Sequence, residues 1–289
     1  MYCFHPFGMQ SNISVYYNSE SIFVVKRFGT MKNVILKTPY NKEFIISGSD
    51  RDKSIIGAIE SNRGLYEQNN LKLLKRIIKP DSICLDIGAN IGVISLSLSY
   101  LATQGRVISF EPSNYNYTFL LRNILQNNVF NILPLNYGLL DTECTIDFSY
   151  VEEVAGCSFI SDTGVKEGVA ETIKCISLDT WVDIVGLEHI DFIKMDVEGA
   201  EIKALNGGIK TIKKVSPDLM IEFNPVPLKR FFNENPSNLF DWLHNHYERI
   251  YLISEGLTEI KDYDQIEQIL QKGKGWEDLY CTSKHLKKI

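Results

Sequence analysis

The tightest constraint on this chain lies between residues 82 and 111. An apolar run at 82–87 leads into the turn Asp86-Ile-Gly88-Ala-Asn90-Ile-Gly92, then a helical stripe of Ile94, Leu98 and Leu101, then a second apolar run at 106–111. Strand, helix and strand in that order make a βαβ unit, whose right-handed crossover sets the strands parallel and lays the helix over one sheet face. Tyr117, Leu120, Leu121 and Ile124 continue the pattern at i, i+3, i+4, i+7. Further on, residues 190–195 and 218–223 read as buried strands, with a helix at 200–205 stopped by Gly207-Gly208. A stripe of Leu239, Trp242, Leu243 and His246 and two late strands, 250–253 and 278–282, complete the count. Such alternation predicts an α/β fold with a doubly wound sheet.

The first sixty residues follow a different grammar. Strand-like runs at 13–18, 21–28, 33–37 and 43–46 are broken by turn signals, which predicts a β-hairpin appendage over 1–62 ahead of the α/β domain at 63–289. A helix follows at 67–78, with Leu71, Leu74 and Ile78 on one stripe. The middle, 132–182, carries β-type runs at 132–135, 145–149 and 172–176 and a glycine-bearing loop at 156–168, whose course the pattern leaves open.

Composition narrows the function classes. With 44% apolar residues in 289 the chain can bury a sizeable core. A net charge of −6 disfavours a broad nucleic-acid-binding face. No apolar stretch is long enough for a membrane helix, and the opening MYCFHPFGMQ lacks the sections of a signal peptide, so the expected address is the cytosol. The six cysteines are scattered, with no CxxC pair, and read as reduced thiols rather than metal ligands.

Three strand-end loops carry the chemistry. In an open α/β sheet ligands sit at the carboxyl ends of the strands, and Gly88 and Gly92 let the first turn close and its backbone approach a ligand. Glu111 ends the next strand, 25 residues after Asp86, where a carboxylate accepts hydrogen bonds from a ribose diol. The loop lacks the G-x-G-x-x-G of a dinucleotide site, and an acid before its first glycine suits a cationic ligand better than a pyrophosphate. S-adenosylmethionine has the ammonium, the ribose diol and no phosphate. The third loop, Lys194-Met-Asp196-Val-Glu198-Gly199-Ala-Glu201, puts Lys194, Asp196 and Glu198 on one face of an extended segment at that same sheet edge.

Gly64-Leu-Tyr66-Glu67, Asp86 to Gly92, Phe110-Glu-Pro112, Ser177-Leu-Asp179 and the segment 190–201 together resemble the FkbM family of S-adenosylmethionine-dependent methyltransferases, over residues 64–224 and in the family's order. The resemblance implies the class I methyltransferase (Rossmann-like) fold, a seven-stranded sheet with one antiparallel strand near an edge, and O-methylation of hydroxyls on sugars, glycans and related metabolites. It implies that Asp86, Gly88, Asn90 and Gly92 line the methionine end of the cofactor. Glu111, followed by Pro112, would hold the ribose, and Tyr66 and Glu67 would close over the pocket. Asp141 stands near the family's G-D position with altered spacing, as Gly138-Leu-Leu-Asp141, and is carried as a cofactor contact.

Methyl transfer to a hydroxyl is an in-line displacement that needs alignment and a base. Asp196 and Glu198, with Lys194 beside them, are the catalytic candidates, ahead of Glu222 and His189. Glu222, Asn224 and Asp196 would offer oxygen ligands to a divalent cation, but a strand-end carboxylate and a turn asparagine explain them adequately, and no metal is assigned. The expected partner is a small-molecule or glycan acceptor with a free hydroxyl, not nucleic acid. Two readings from other classes remain open: a nucleotide-dependent oxidoreductase or epimerase on the same fold, and a non-catalytic S-adenosylmethionine-binding module.

Overall fold

The computed structural model describes residues 17–18, 21–22, 30–150, 158–160, 169–254 and 256–283. The early runs expected at 13–18 and 21–28 fall mostly outside these residues; within them β1 (Tyr17–Asn18) pairs antiparallel with β2 (Ser21–Ile22). β3 (Met31–Lys37) and β4 (Glu43–Ser49) form an antiparallel hairpin, followed by α1 (Ile56–Ser61) and α2 (Gln68–Ile77).

The α/β grammar then produces β5 (Ile83–Ile87), α3 (Val93–Leu101), β6 (Arg106–Phe110), α4 (Asn114–Gln126) and β7 (Ile132–Leu135). β8 (Gly138–Leu139), β9 (Cys144–Tyr150), β10 (Ser158–Ile160) and β11 (Val169–Ile176) make a separate four-stranded sheet in the order β10-β9-β11-β8. The second half runs α5 (Leu178–Val185), β12 (Phe192–Met195), α6 (Glu201–Gly207), α7 (Ile209–Val215), β13 (Asp218–Phe223), α8 (Pro225–Phe232) and α9 (Pro236–His246). It ends with β14 (Arg249–Ile253), β15 (Leu257–Ile260), α10 (Tyr263–Lys272) and β16 (Glu277–Thr282).

The main sheet has the order β15-β14-β16-β13-β12-β5-β6-β7. From β12 outward β13, β5, β6 and β7 are parallel, while β16 inserts antiparallel between β13 and β14. This is the class I methyltransferase fold, with eight strands rather than the expected seven: β15 adds to β14 as an antiparallel hairpin partner. The chain leaves β5 toward β6 on one side and returns to β12 on the other, so the carboxyl ends of β5 and β12 flank the topological switch point.

Side-chain alternation splits the core between the two sheet faces. Leu85, Ile87, Ile193 and Met195 face the cluster under α5 and α9, whereas Cys84, Val107 and Phe192 face the opposite cluster. The β3–β4 hairpin packs into that second cluster: Leu36, Phe44 and Ile46 are fully buried among residues of α1, α2 and α3. Asn123 of α4 ties it down, because its amide donates to the carbonyls of Ser47 and Ile91 (3.0 and 2.7 Å) and its oxygen accepts from Ser47 N (2.7 Å).

α6 ends at Gly207 with Gly208 as its cap, as the pattern predicts, and α7 starts at the next residue; Gly207 lies against another backbone, where a Cβ would sit 2.0 Å from Leu140 O. Cys144 and Cys175, scattered in sequence, are register partners across β9 and β11 and are both free thiols. Among the described residues no helix is long and apolar enough to cross a membrane.

Candidate active site

The strand-end loops meet in a cleft with two lobes that share Gly88, Asn90, Asp196 and Glu198. The lobes enclose about 730 and 1030 Å³ of space, open mouth included. The first is mainly apolar, walled by Phe110, Pro112, Leu139, Leu140, Ile146, Ile173 and Phe232, with Glu111 and Asn116 adding to the shared polar residues Asn90, Asp196 and Glu198. The second is polar and acidic: Glu67, Asp86, Asp196, Glu198, Glu222 and Asp278 line it, and Lys194 is the one cation among its described lining residues.

The first turn is built by close approach. Gly88 has φ +79°, and a Cβ there would lie 1.8 Å from the carbonyl oxygen of Asp196, so only glycine lets the β5 and β12 loops touch. Its N–H and that of Ala89 donate to Phe110 O (3.0 and 2.9 Å), locking this loop to the end of β6. Gly92, expected to line the ligand, instead begins α3 with φ +93° beneath Leu120.

Glu111 is buried and bridges two loops. One carboxylate oxygen accepts from Asn90 N (2.8 Å) and the other from Ser113 N (2.9 Å). Burial pushes its pKa up to about 8, outweighing those two N–H groups, which favour the ionised form. The Asn116 side chain is a third partner, and since a carboxylate has about four acceptor positions, some capacity remains for a ligand. Asp86 is buried as well and accepts a hydrogen bond from the Ser95 hydroxyl, which also contacts Ser109 Oγ. Burial raises its pKa to about 6, against the lowering effects of Ser95 and Lys194.

Lys194 is almost wholly buried. Its Nζ lies 3.2 Å from Asp196 Oδ2 and 3.9 Å from Asp278 Oδ1. Burial opposes its charge, yet Asp196, Asp278, Glu67 and Glu222 together raise its pKa, so it stays protonated. Glu67 begins α2 in the left-handed conformation, φ 45°. Asn70 Nδ2 donates both to Glu67 Oε2 (3.2 Å) and to Asp278 Oδ2 (2.8 Å), linking α2 to β16. Burial lifts Glu67 to about 7, moderated by Lys194. Tyr66 is beside it, its hydroxyl pKa raised well above the usual value by burial and by Glu67.

Within the third loop the acids divide the work. Buried Glu201 accepts from the N–H groups of Val197 and Gly199 (both 3.2 Å) and so shapes the turn. Gly199 has φ +100° and packs on Pro227, whose carbonyl a Cβ would meet at 2.7 Å. That turn holds Glu198 in the left-handed conformation, φ 53°, an unfavourable state for a non-glycine residue and one that recurs at functional sites. Glu198 borders both lobes and has no hydrogen-bond or ion-pair partner among the described residues. Burial, with Asp196 and Glu201 nearby, raises its pKa well above the usual value. Glu222, which accepts from Asn224 Nδ2 (3.3 Å), is raised likewise by burial and by Asp196.

The structure thus brings Tyr66, Glu67, Asp86, Gly88, Asn90, Lys194, Asp196 and Glu198 into the polar lobe and Glu111 and Pro112 into the apolar one. Gly92 and Asp141 lie outside the lining: Gly92 caps α3, and Asp141 is exposed, one residue beyond the segment 137–140 that walls the apolar lobe. His189 pairs with Asp191 (2.8 Å) at the amino end of β12, away from the cleft. Among the described residues no group of three His, Cys, Asp or Glu side chains is arranged to hold a metal ion. Sequence pattern missed Asp278, Trp276, Ile146, Ile173 and Phe232, which reach the cleft through β16, the four-stranded sheet and α8. Alternation in the late strand located β16, but not its place next to β13.

Residues 86–272 match the methyltransferase FkbM domain. The chain belongs to that family. Among its relatives are the hexuronic acid methyltransferase AglP of Haloferax volcanii, 30% identical over 52% of this chain and 59% of AglP, and the 2-O-methyltransferase NoeI of Sinorhizobium fredii, 26% identical over 50% of this chain and 67% of NoeI. The match spans about three fifths of the length of AglP. A crystal structure of an FkbM methyltransferase from Methylobacillus flagellatus is similar at 20% identity and a TM-score of 0.45, over 70% of this chain and 44% of that one.

Proposed function

We propose that this chain is an S-adenosylmethionine-dependent O-methyltransferase that moves a methyl group to a hydroxyl of a sugar, glycan or related metabolite. The observation that carries the reading is the division of the cleft: an apolar lobe with a carboxylate fixed by backbone, joined at Glu198 to an acidic lobe. The residues present fit the co-substrate. Pro112, Leu140, Ile146, Ile173 and Phe232 offer an apolar berth for an adenine, Glu111 has acceptor capacity left for a ribose diol, and the acidic lobe favours a cationic methionine end. The name of AglP, a hexuronic acid methyltransferase, supports an acceptor of the sugar class, and that of NoeI, a 2-O-methyltransferase, supports transfer to oxygen.

When bound, S-adenosylmethionine supplies a methyl group on a sulfonium that is neutralised as the methyl leaves. The protein's own part is positioning and proton transfer. Glu198 is the residue placed to take the acceptor's proton: it stands at the junction of the lobes, and no other described side chain occupies its carboxylate. Its raised proton affinity makes it a stronger base once ionised. Lys194 and Asp196 hold each other at the same edge and set the local field, and Glu222 and Asp278 offer further acceptors for acceptor hydroxyls.

The test is to incubate the protein with S-adenosylmethionine and a panel of glycosides, and to measure S-adenosylhomocysteine and a methyl ether in the product. Turnover that needs both is expected; a folded protein that binds neither S-adenosylmethionine nor S-adenosylhomocysteine refutes the reading.

A further inference from the structure

The polar lobe has a feature that the methyl-transfer reading does not use. Trp276, half-buried just before β16, borders it together with Glu222, Asn224 and Asp278. Lys274 Nζ stacks on this indole 3.2 Å from the ring centroid and lies 3.8 Å from Glu277 Oε2, so its charge is already shared between a ring and a carboxylate. Lys194, the one cation among the lobe's described lining residues, is paired with Asp196. No arginine lines the lobe among the described residues, so an acceptor carboxylate or phosphate would find no free cationic partner there, and several carboxylates to repel it. Carboxylate oxygens do accept hydrogen bonds from hydroxyl and ammonium groups, and an aromatic face takes the C–H surface of a pyranose ring.

From this juxtaposition, and resting on the methyltransferase reading above, we infer that the acceptor is an uncharged or amino sugar seated against Trp276, rather than a uronic acid or a sugar phosphate. Trp276 is a specificity-determining residue: it positions the ring whose hydroxyls are held by Glu222, Asp278 and Asn224. In this respect the chain differs from a relative named for a hexuronic acid.

The experiment uses full-length protein saturated with S-adenosylhomocysteine. Ligand-observed NMR saturation transfer would be read with the methyl glycosides of glucose, galactose, mannose, glucosamine and glucuronic acid and with glucose 6-phosphate. Binding by at least one neutral or amino glycoside, weakened tenfold or more in Trp276→Ala and partly restored in Trp276→Phe, is expected, with no binding by the glucuronide or the phosphate. S-adenosylhomocysteine affinity measured on each variant reports that the fold and the first lobe are intact. Preferred binding of the glucuronide or the phosphate, equal binding by Trp276→Ala, or no binding by any of the sugars overturns the inference while leaving the methyltransferase reading in place. Loss of S-adenosylhomocysteine binding by the unsubstituted protein instead removes the reading on which it rests.

Discussion

Glu111 and Glu198 are both buried acids at the carboxyl edge of one sheet, yet they are held in opposite ways. Glu111 is fixed by two backbone N–H groups from two loops, whereas Glu198 is itself left-handed and has no hydrogen-bond or ion-pair partner among the described residues. A carboxylate whose position is set by backbone is suited to hold a ligand group in one place. A carboxylate whose oxygens are unclaimed is suited to gain and lose a proton. The contrast extends to the lobes: the apolar one is closed by a separate sheet and α8, while the polar one is assembled from strand ends and α2.

The largest expected effect comes from breaking the contact that joins the two loops. Gly88→Ala places a Cβ on the Asp196 carbonyl at positive φ; it should cost about 3 kcal/mol of stability or more and abolish S-adenosylhomocysteine binding, as read by chemical denaturation and calorimetry. Glu198→Gln should lower kcat by roughly 10²- to 10⁴-fold while changing S-adenosylhomocysteine affinity by less than about 0.5 kcal/mol. Glu111→Gln reverses that split, losing about 1–3 kcal/mol of S-adenosylhomocysteine affinity. Ile173→Val in the apolar wall should cost only about 0.5–1.5 kcal/mol of stability.

Acidity sharpens the same comparison. Because burial raises the Glu198 pKa, the residue holds its proton above the ordinary carboxylate range, and kcat/KM should climb as rising pH removes it; Glu198→Gln should flatten that limb. Asp86, Glu67 and Glu111 hold protons more tightly in the folded protein than ordinary carboxylates do, with values of about 6, 7 and 8. Their contribution to stability is therefore complete below the ordinary carboxylate range and lost as pH rises through those values, so the Tm of the ligand-free protein should fall between about pH 5 and 8.

The parts of the molecule that local pattern dictates were legible in the chain. The βαβ rhythm of 82–124 gave the parallel strands, and the acids at 86, 111, 196 and 198 came together because strand ends in such a sheet share one edge. What pattern did not carry was pairing at a distance. Strand-like runs at 145–149 and 172–176 gave no hint that β9 and β11 lean over the apolar lobe, because alternation reports a buried face and not its partner. The hairpin at Met31–Ser49 read as strands by the same alternation, but its anchoring by Asn123 depends on one buried amide 76 residues away. Asp141 lies outside the cleft for a local reason: the segment 137–140 that walls the apolar lobe ends one residue before it.

The most direct measurement is calorimetric titration with S-adenosylhomocysteine of the unsubstituted protein, Glu111→Gln and Glu198→Gln, all checked for folding. If the apolar lobe holds the nucleoside and Glu198 serves proton transfer, binding is saturable, weakened by about 1–3 kcal/mol in Glu111→Gln and nearly unchanged in Glu198→Gln. No binding by the folded protein, or equal binding by Glu111→Gln, contradicts it.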